Sequence, residues 1–157
     1  MTDAAVRLAT TNDLSTLVLL YDQMVAEQAS ARGGYVWEQT RPPHENSSTR
    51  LADAIAAENE WVLLGTYSGV AVGFAALKLQ PLRDGDVMGV VQDLFVDPQA
   101  REVGVGEVLM NRIIELCRSH NCIGVDAMVL PGNRSAKNFM ESHGLKARLI
   151  QVHKDLR

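Results

Sequence analysis

The chain of 157 residues predicts a mixed α/β fold whose sheet is mostly antiparallel with one parallel strand pair. Three observations carry that reading. Alternating and helical apolar periods follow one another in the order strand, two helices, three strands, helix, strand, helix, strand. Short turns join the three central strands, which makes them antiparallel. The next strand is entered from a long helix, so it pairs in parallel with its predecessor through a right-handed crossover.

Taken in order, Ala5 to Ala9 is the first strand. Thr10 with Asp13 three residues on is a capping-box pattern. The helix it opens carries an apolar stripe at Leu14, Leu17, Val18, Tyr21, Met24 and Val25. Residues 33–47 contain Pro42-Pro43 and no lasting period, so they read as a long loop of the kind that often carries function. A second helix spans about 48–58, with Leu51 and Ile55 one turn apart. Trp61 to Tyr67, the turn Ser68-Gly69, and Val70 to Gln80 form a hairpin, and Asp86 begins the next strand. The helix from Val105 to His120 buries Val105, Leu109, Ile113, Leu116 and Cys117. Ile123 to Leu130 is the parallel strand, and Ser135 to His143 a helix that Gly144 closes in left-handed geometry. Lys146 to His153 is the last strand. No repeat or boundary divides residues 1–157, which read as a single domain.

Composition narrows the function classes. A net charge of −4 argues against nucleic acid, whose binding rests on clustered Lys and Arg. No apolar run approaches the roughly 20 residues of a membrane span, and the N-terminus lacks signal-peptide regions, so the expected location is cytoplasmic. Cys117 and Cys122 read as reduced packing residues. The histidines at 44, 120, 143 and 153 show no ligand spacing, and no metal is expected.

The stretch from Val91 to Leu109, VQDLFVDPQAREVGVGEVL, organises the rest. A strand ends at Asp97-Pro98, and a turn then leads through Arg101, Glu102, Val103, Gly104, Val105 and Gly106 into a helix. The start of a helix leaves backbone N–H groups unpaired beneath the positive end of its dipole. Glycines at 104 and 106 would keep side chains out of an anion's way, and phosphate or pyrophosphate suits such a cradle. A Walker loop would need Gly-Lys-Ser/Thr where Glu107 and Val108 follow Gly106, and a dinucleotide fingerprint would need a small residue at Leu109.

Strand, V-D-P-x-x-R-x-x-G-x-G, then helix resembles the GNAT N-acetyltransferase superfamily, and the resemblance extends over nearly the whole chain. It implies a GNAT-type sheet with a splayed parallel strand pair, flanked by about four helices. It also implies acetyl-coenzyme A as cosubstrate, with its pyrophosphate on the 101–106 loop. The strands would part after Phe95, and the pantetheine arm would pair with backbone around Leu94, Phe95 and Val96. Asn133, Ala136 and Phe139 match the family's N-x-x-A-x-x-F pattern. Asn133 would then bond a pantetheine amide, although it reads equally as a residue of a helix's N-terminal turn. Many members carry a tyrosine where this chain has Met140, which has no transferable proton. QDLFV is similar to the Glu-Asp-x-Phe-Val of polyamine acetyltransferases, with Gln92 in place of the glutamate.

Asp93 is therefore the candidate catalytic residue, as a base for the ammonium proton or else as a structural carboxylate. Tyr35, Trp37 and Glu38 would form an acceptor wall or a plug over the sheet, with His44 and Tyr21 as further candidates. The function implied is acetyl transfer to a primary amine of a small molecule or protein, with a homodimer joined along the last strand as the expected assembly. A non-catalytic acyl-coenzyme A-binding protein of the same fold and a structural α/β module are the alternatives.

Overall fold

The computed structural model describes residues 3–41 and 46–157. Its five-stranded sheet runs in the order β1 (Ala4–Leu8), β2 (Glu60–Tyr67), β3 (Val70–Pro81), β4 (Val87–Val96) and β5 (Gly124–Ala127). The first four strands pair antiparallel, and β4 with β5 is parallel as expected. The helices are α1 (Leu14–Ala29), α2 (Gly34–Gln39), α3 (Ser47–Ala56), α4 (Val105–Ser119) and α5 (Arg134–Ser142).

Period-two alternation distributes the strand side chains between two apolar layers. Val62, Leu64, Phe74 and Phe95 pack with Leu17, Leu20, Tyr21 and Met24 of α1 and Leu51 of α3. Leu63, Ala75, Leu77 and Val91 point the other way, onto Leu109, Met110, Ile113 and Cys117 of α4. Helix α4 lies close to the strands. A Cβ on Gly65 would stand 2.7 Å from Val105 Cγ1, and one on Gly89 would stand 2.3 Å from Cys117 Sγ. Thr10 and Asp13 form the expected local bond, with the Thr10 N–H donating to Asp13 Oδ2 at 2.8 Å.

Three expectations are corrected. The stretch read as a loop from 33 to 47 holds α2, a helix too short for periodicity to register, while Pro42-Pro43 and His44 lie outside the described residues. The strand read from Ile123 to Leu130 keeps only Gly124–Ala127, because its partner turns away. Lys146 to His153 is not a strand: residues 146–157 are irregular, and Leu149, Ile150, Val152 and Leu156 are all at least 79% exposed. Alternation makes a segment competent for a strand, but only a neighbouring ladder completes its backbone bonds. This segment meets β5 through an Arg148–Asp126 ion pair. Among the described residues, no helix is long and apolar enough to cross a membrane.

Candidate active site

The site begins with an irregularity in β4. Ala76 of β3 stands opposite Asp93, but its neighbour Leu77 stands opposite Val91, so Gln92 is an extra residue. A bulge of this kind bends its strand and increases the local twist. Parallel pairing with β5 runs from Met88↔Gly124 to Val91↔Ala127 and stops at the same point. From Asp93 to Val96, β4 is paired with β3 alone. The two strands thus part at the bulge, not after Phe95 as the sequence implied. Leu94 is half-buried, Phe95 is buried towards α1 and Val96 towards α4, so what Phe95 and Val96 offer the slot is backbone.

Past β4, the Asp97 side chain accepts from the Gln99 N–H at 2.9 Å and shapes the turn over Pro98–Ala100. Glu102 and Gly104 then adopt left-handed φ of +67° and +93° before α4 starts at Val105. No side chain caps α4, so its first N–H groups have no side-chain partner beneath the positive end of the helix dipole. Each glycine also has a reason within the fold. A Cβ on Gly104 would point at Ala4, 3.7 Å away, and one on Gly106 would meet the Phe139 ring at 3.3 Å. Gly104 is there for its φ, and Gly106 for the approach of α5.

The side chains around the loop divide clearly. Glu102 and Val103 are exposed, and Val105 is buried. Arg101 turns back: its Nε donates to the Val96 carbonyl at 2.9 Å, and its Nη2 pairs with Glu27 at 2.9 Å. It braces the loop against α1. Asn133 caps α5, its Oδ1 accepting from the Ala136 N–H at 3.1 Å, while its Nδ2 donates to Gln28 at 3.4 Å. Ala136 and Phe139 are half-buried, with Phe139 against Gly106, so α5 sits beside the loop. Met140 is half-buried against the core layer that α4 shares with the sheet. Glu102→Gly should stabilise the fold by up to about 1 kcal/mol, because glycine carries no Cβ penalty at positive φ. Denaturant unfolding reads that change.

On the α1 side of the bulge lies a charged cluster. Arg41 Nη2 donates to Asp93 Oδ1 at 2.9 Å, and both side chains are largely buried, 17% and 7% exposed. The Tyr21 hydroxyl accepts from Arg41 at 3.0 Å and from Arg50 Nη1 at 2.8 Å. The Arg41 guanidinium also lies 4.5 Å from the centre of the Trp37 ring. Burial pushes the Asp93 carboxyl above the usual carboxylate range, against the opposing pull of Arg41 and Arg50. Tyr21, Ser47, Arg50, Asp53, Glu60, Gln92 and Asp93 line an open cavity of about 160 Å³. A larger hollow of about 410 Å³ lies by β1 and the start of α1, where Arg7 and Asp13 already pair at 2.8 Å.

Asp93, Tyr21 and Trp37 are therefore brought together, whereas Tyr35 is 56% exposed and stacks with Arg157. Glu38 is half-buried on α2, and His44 lies outside the described residues. Arg41 and Arg50 were missed. Arg41 stands 52 residues from its partner Asp93, and nothing local marks either arginine. Cys117 and Cys122 are both free, and burial and Cys122 push the Cys117 thiol up to about 12.

A bulged β4, a parallel neighbour that leaves it, and an uncapped helix at its end make up the candidate site. The model of the acetyltransferase (GNAT) family matches residues 23–145, and the chain belongs to that family. It is 34% identical over 91 residues to a glucosamine 6-phosphate N-acetyltransferase of Trypanosoma brucei brucei, an alignment spanning 57% of this chain and 60% of that relative. Its fold matches the BH1408 protein of Bacillus halodurans with a TM-score of 0.84 at 22% identity, over 97% of this chain and 99% of that one. It also matches an aminoglycoside N-acetyltransferase in complex with coenzyme A, with a TM-score of 0.75 at 17% identity, over 98% and 96%.

Proposed function

We propose that this chain transfers the acetyl group of acetyl-coenzyme A to the primary amine of a small molecule, as one acetyltransferase domain. One observation carries the reading. The bulge that opens the backbone slot also sets Gln92 and Asp93 at the wall of a small cavity. Acetyl-coenzyme A supplies a thioester, and open N–H groups in the slot would stabilise the oxyanion formed when an amine attacks it. Pyrophosphate would lie on the amides of 103–106, with the loop braced by Arg101. The ammonium must first lose a proton, at a cost of roughly 4 kcal/mol for a pKa near 10 at neutral pH. Asp93 takes that proton, and its raised pKa makes it a better base than an ordinary carboxylate. Met140 has none to give, so water protonates the thiolate.

The likeness to an amino-sugar enzyme and, in fold, to an aminoglycoside enzyme supports a small-molecule acceptor. Cytoplasm is the fitting location, since Cys117 and Cys122 are free. Free-thiol release from acetyl-coenzyme A, screened over amino sugars, aminoglycosides, polyamines, amino acids and peptides, tests the reading. Acetyl-coenzyme A binding without turnover of any amine would favour the non-catalytic alternative.

Two expected results belong here. Gly104→Val forces a branched residue to φ +93° at the entrance of α4 and should weaken acetyl-coenzyme A binding well over tenfold, about 1.4 kcal/mol per factor of ten. Unchanged affinity by calorimetry in the folded variant would rule the loop out. We also propose a homodimer. Its expected strand is absent, but Leu149, Ile150, Val152 and Leu156 leave an apolar segment in solvent. Light scattering at micromolar concentration should give twice the 17.2 kDa chain mass, and a monomer would dismiss the idea.

A further inference from the structure

We infer that the acceptor is an amine that also carries a phosphate or carboxylate group, and that Arg50 holds this anion. The inference rests on reading the cavity beside Gln92 and Asp93 as the acceptor site, and it goes further by naming the class of molecule. Two guanidinium groups, from Arg41 and Arg50, converge on the hydroxyl oxygen of Tyr21. They do not share their other partners. Arg41 has the Asp93 carboxylate and the Trp37 face, and it is largely buried. Arg50 is half-buried, lines the cavity, and among the described residues bonds the Tyr21 hydroxyl and forms no ion pair.

A guanidinium has five N–H donors, and a phenol oxygen satisfies one of them. Those that remain suit the two oxygens of a carboxylate or phosphate. The acidic groups on the same cavity, Glu60 and Asp93 with Asp53 exposed at its edge, suit the ammonium end of the same molecule. With one cation among three carboxylates, the lining is complementary to a small molecule bearing both charges. The size agrees, since about 160 Å³ is below the roughly 300–1,000 Å³ of drug-sized sites. Tyr21 keeps Arg50 in place through its hydroxyl, as a positioning residue.

Calorimetry in the presence of free coenzyme A, where no acetyl group can transfer, tests this independently of turnover. Glucosamine 6-phosphate should bind at least tenfold more tightly than glucosamine if the anion is a phosphate. An α-amino acid should likewise exceed its carboxamide if it is a carboxylate. In Arg50→Gln, the favoured anionic amine should lose about ten- to a hundredfold in affinity, with its neutral counterpart unchanged. Arg50→Lys should restore part of the preference, and the preference should shrink as salt rises. Unchanged thermal unfolding and coenzyme A affinity would show that the variants fold. No preference for either anionic amine, or a preference that survives in Arg50→Gln, overturns the inference. If the preference disappears with Arg50 but no amine is ever acetylated, the anion site stands and the proposed transfer fails.

Discussion

Asp93→Asn should lower kcat/KM at neutral pH by about 10²-fold or more, within the roughly 10²–10⁴-fold range of general acid–base assistance. Asparagine keeps the shape and an oxygen for Arg41, whose Nη2 lies 2.9 Å from the carboxylate, but it cannot take a proton. The deficit should shrink as pH approaches the amine's own pKa of about 10, where free amine already exists. Acetyl-coenzyme A affinity should not change, because the loop and the start of α4 are separate from Asp93. A pH–rate profile on any accepted amine measures this. If the variant matches the parent at every pH, Asp93 is a structural carboxylate and the proton leaves through water alone.

Arg41→Met should unfold the protein more easily by about 3–5 kcal/mol near neutral pH. With side chains 17% and 7% exposed, Arg41 and Asp93 are shielded from water, so removing the cation strands a buried carboxylate. The sign of the pH dependence follows from Asp93's raised pKa. The folded protein holds that proton more tightly than the unfolded chain does. Its contribution to stability is full below the ordinary carboxylate pKa of about 4 and is lost as pH rises through the raised value. Arg41 opposes the rise, so its removal moves the folded value higher and extends the loss to higher pH. Denaturant unfolding should show a larger deficit at about pH 8 than at about pH 5. A deficit independent of pH would mean that Arg41 acts by packing between Trp37 and Tyr21 and not by charge.

Much of the fold was legible because its elements are long and strongly patterned. The α1 stripe through Leu17, Tyr21 and Met24, the hairpin turn at Ser68-Gly69 and the buried row of α4 all follow from local period and turn chemistry. The loop before α4 was legible for the same reason, since glycine spacing and a helix start are local features. Lys146–His153 shows the limit: its alternation is real, but a strand is a relation between two segments.

By itself, then, the sequence determined the order of elements from β1 to α5 apart from the short α2, the parallel β4–β5 crossover and the loop at 101–106, each set by residues within a few turns of one another. Only the tertiary structure decided where β4 and β5 part, why Gly104 and Gly106 are glycines, and what surrounds Asp93. The extra residue at Gln92 exists only relative to β3, and the Gly106 requirement exists only relative to Phe139 on α5. Arg41 and Arg50 reach Tyr21 across 20 and 29 residues of chain. Such pairings carry no local period, because burial and charge balance act between neighbours in space and not in sequence.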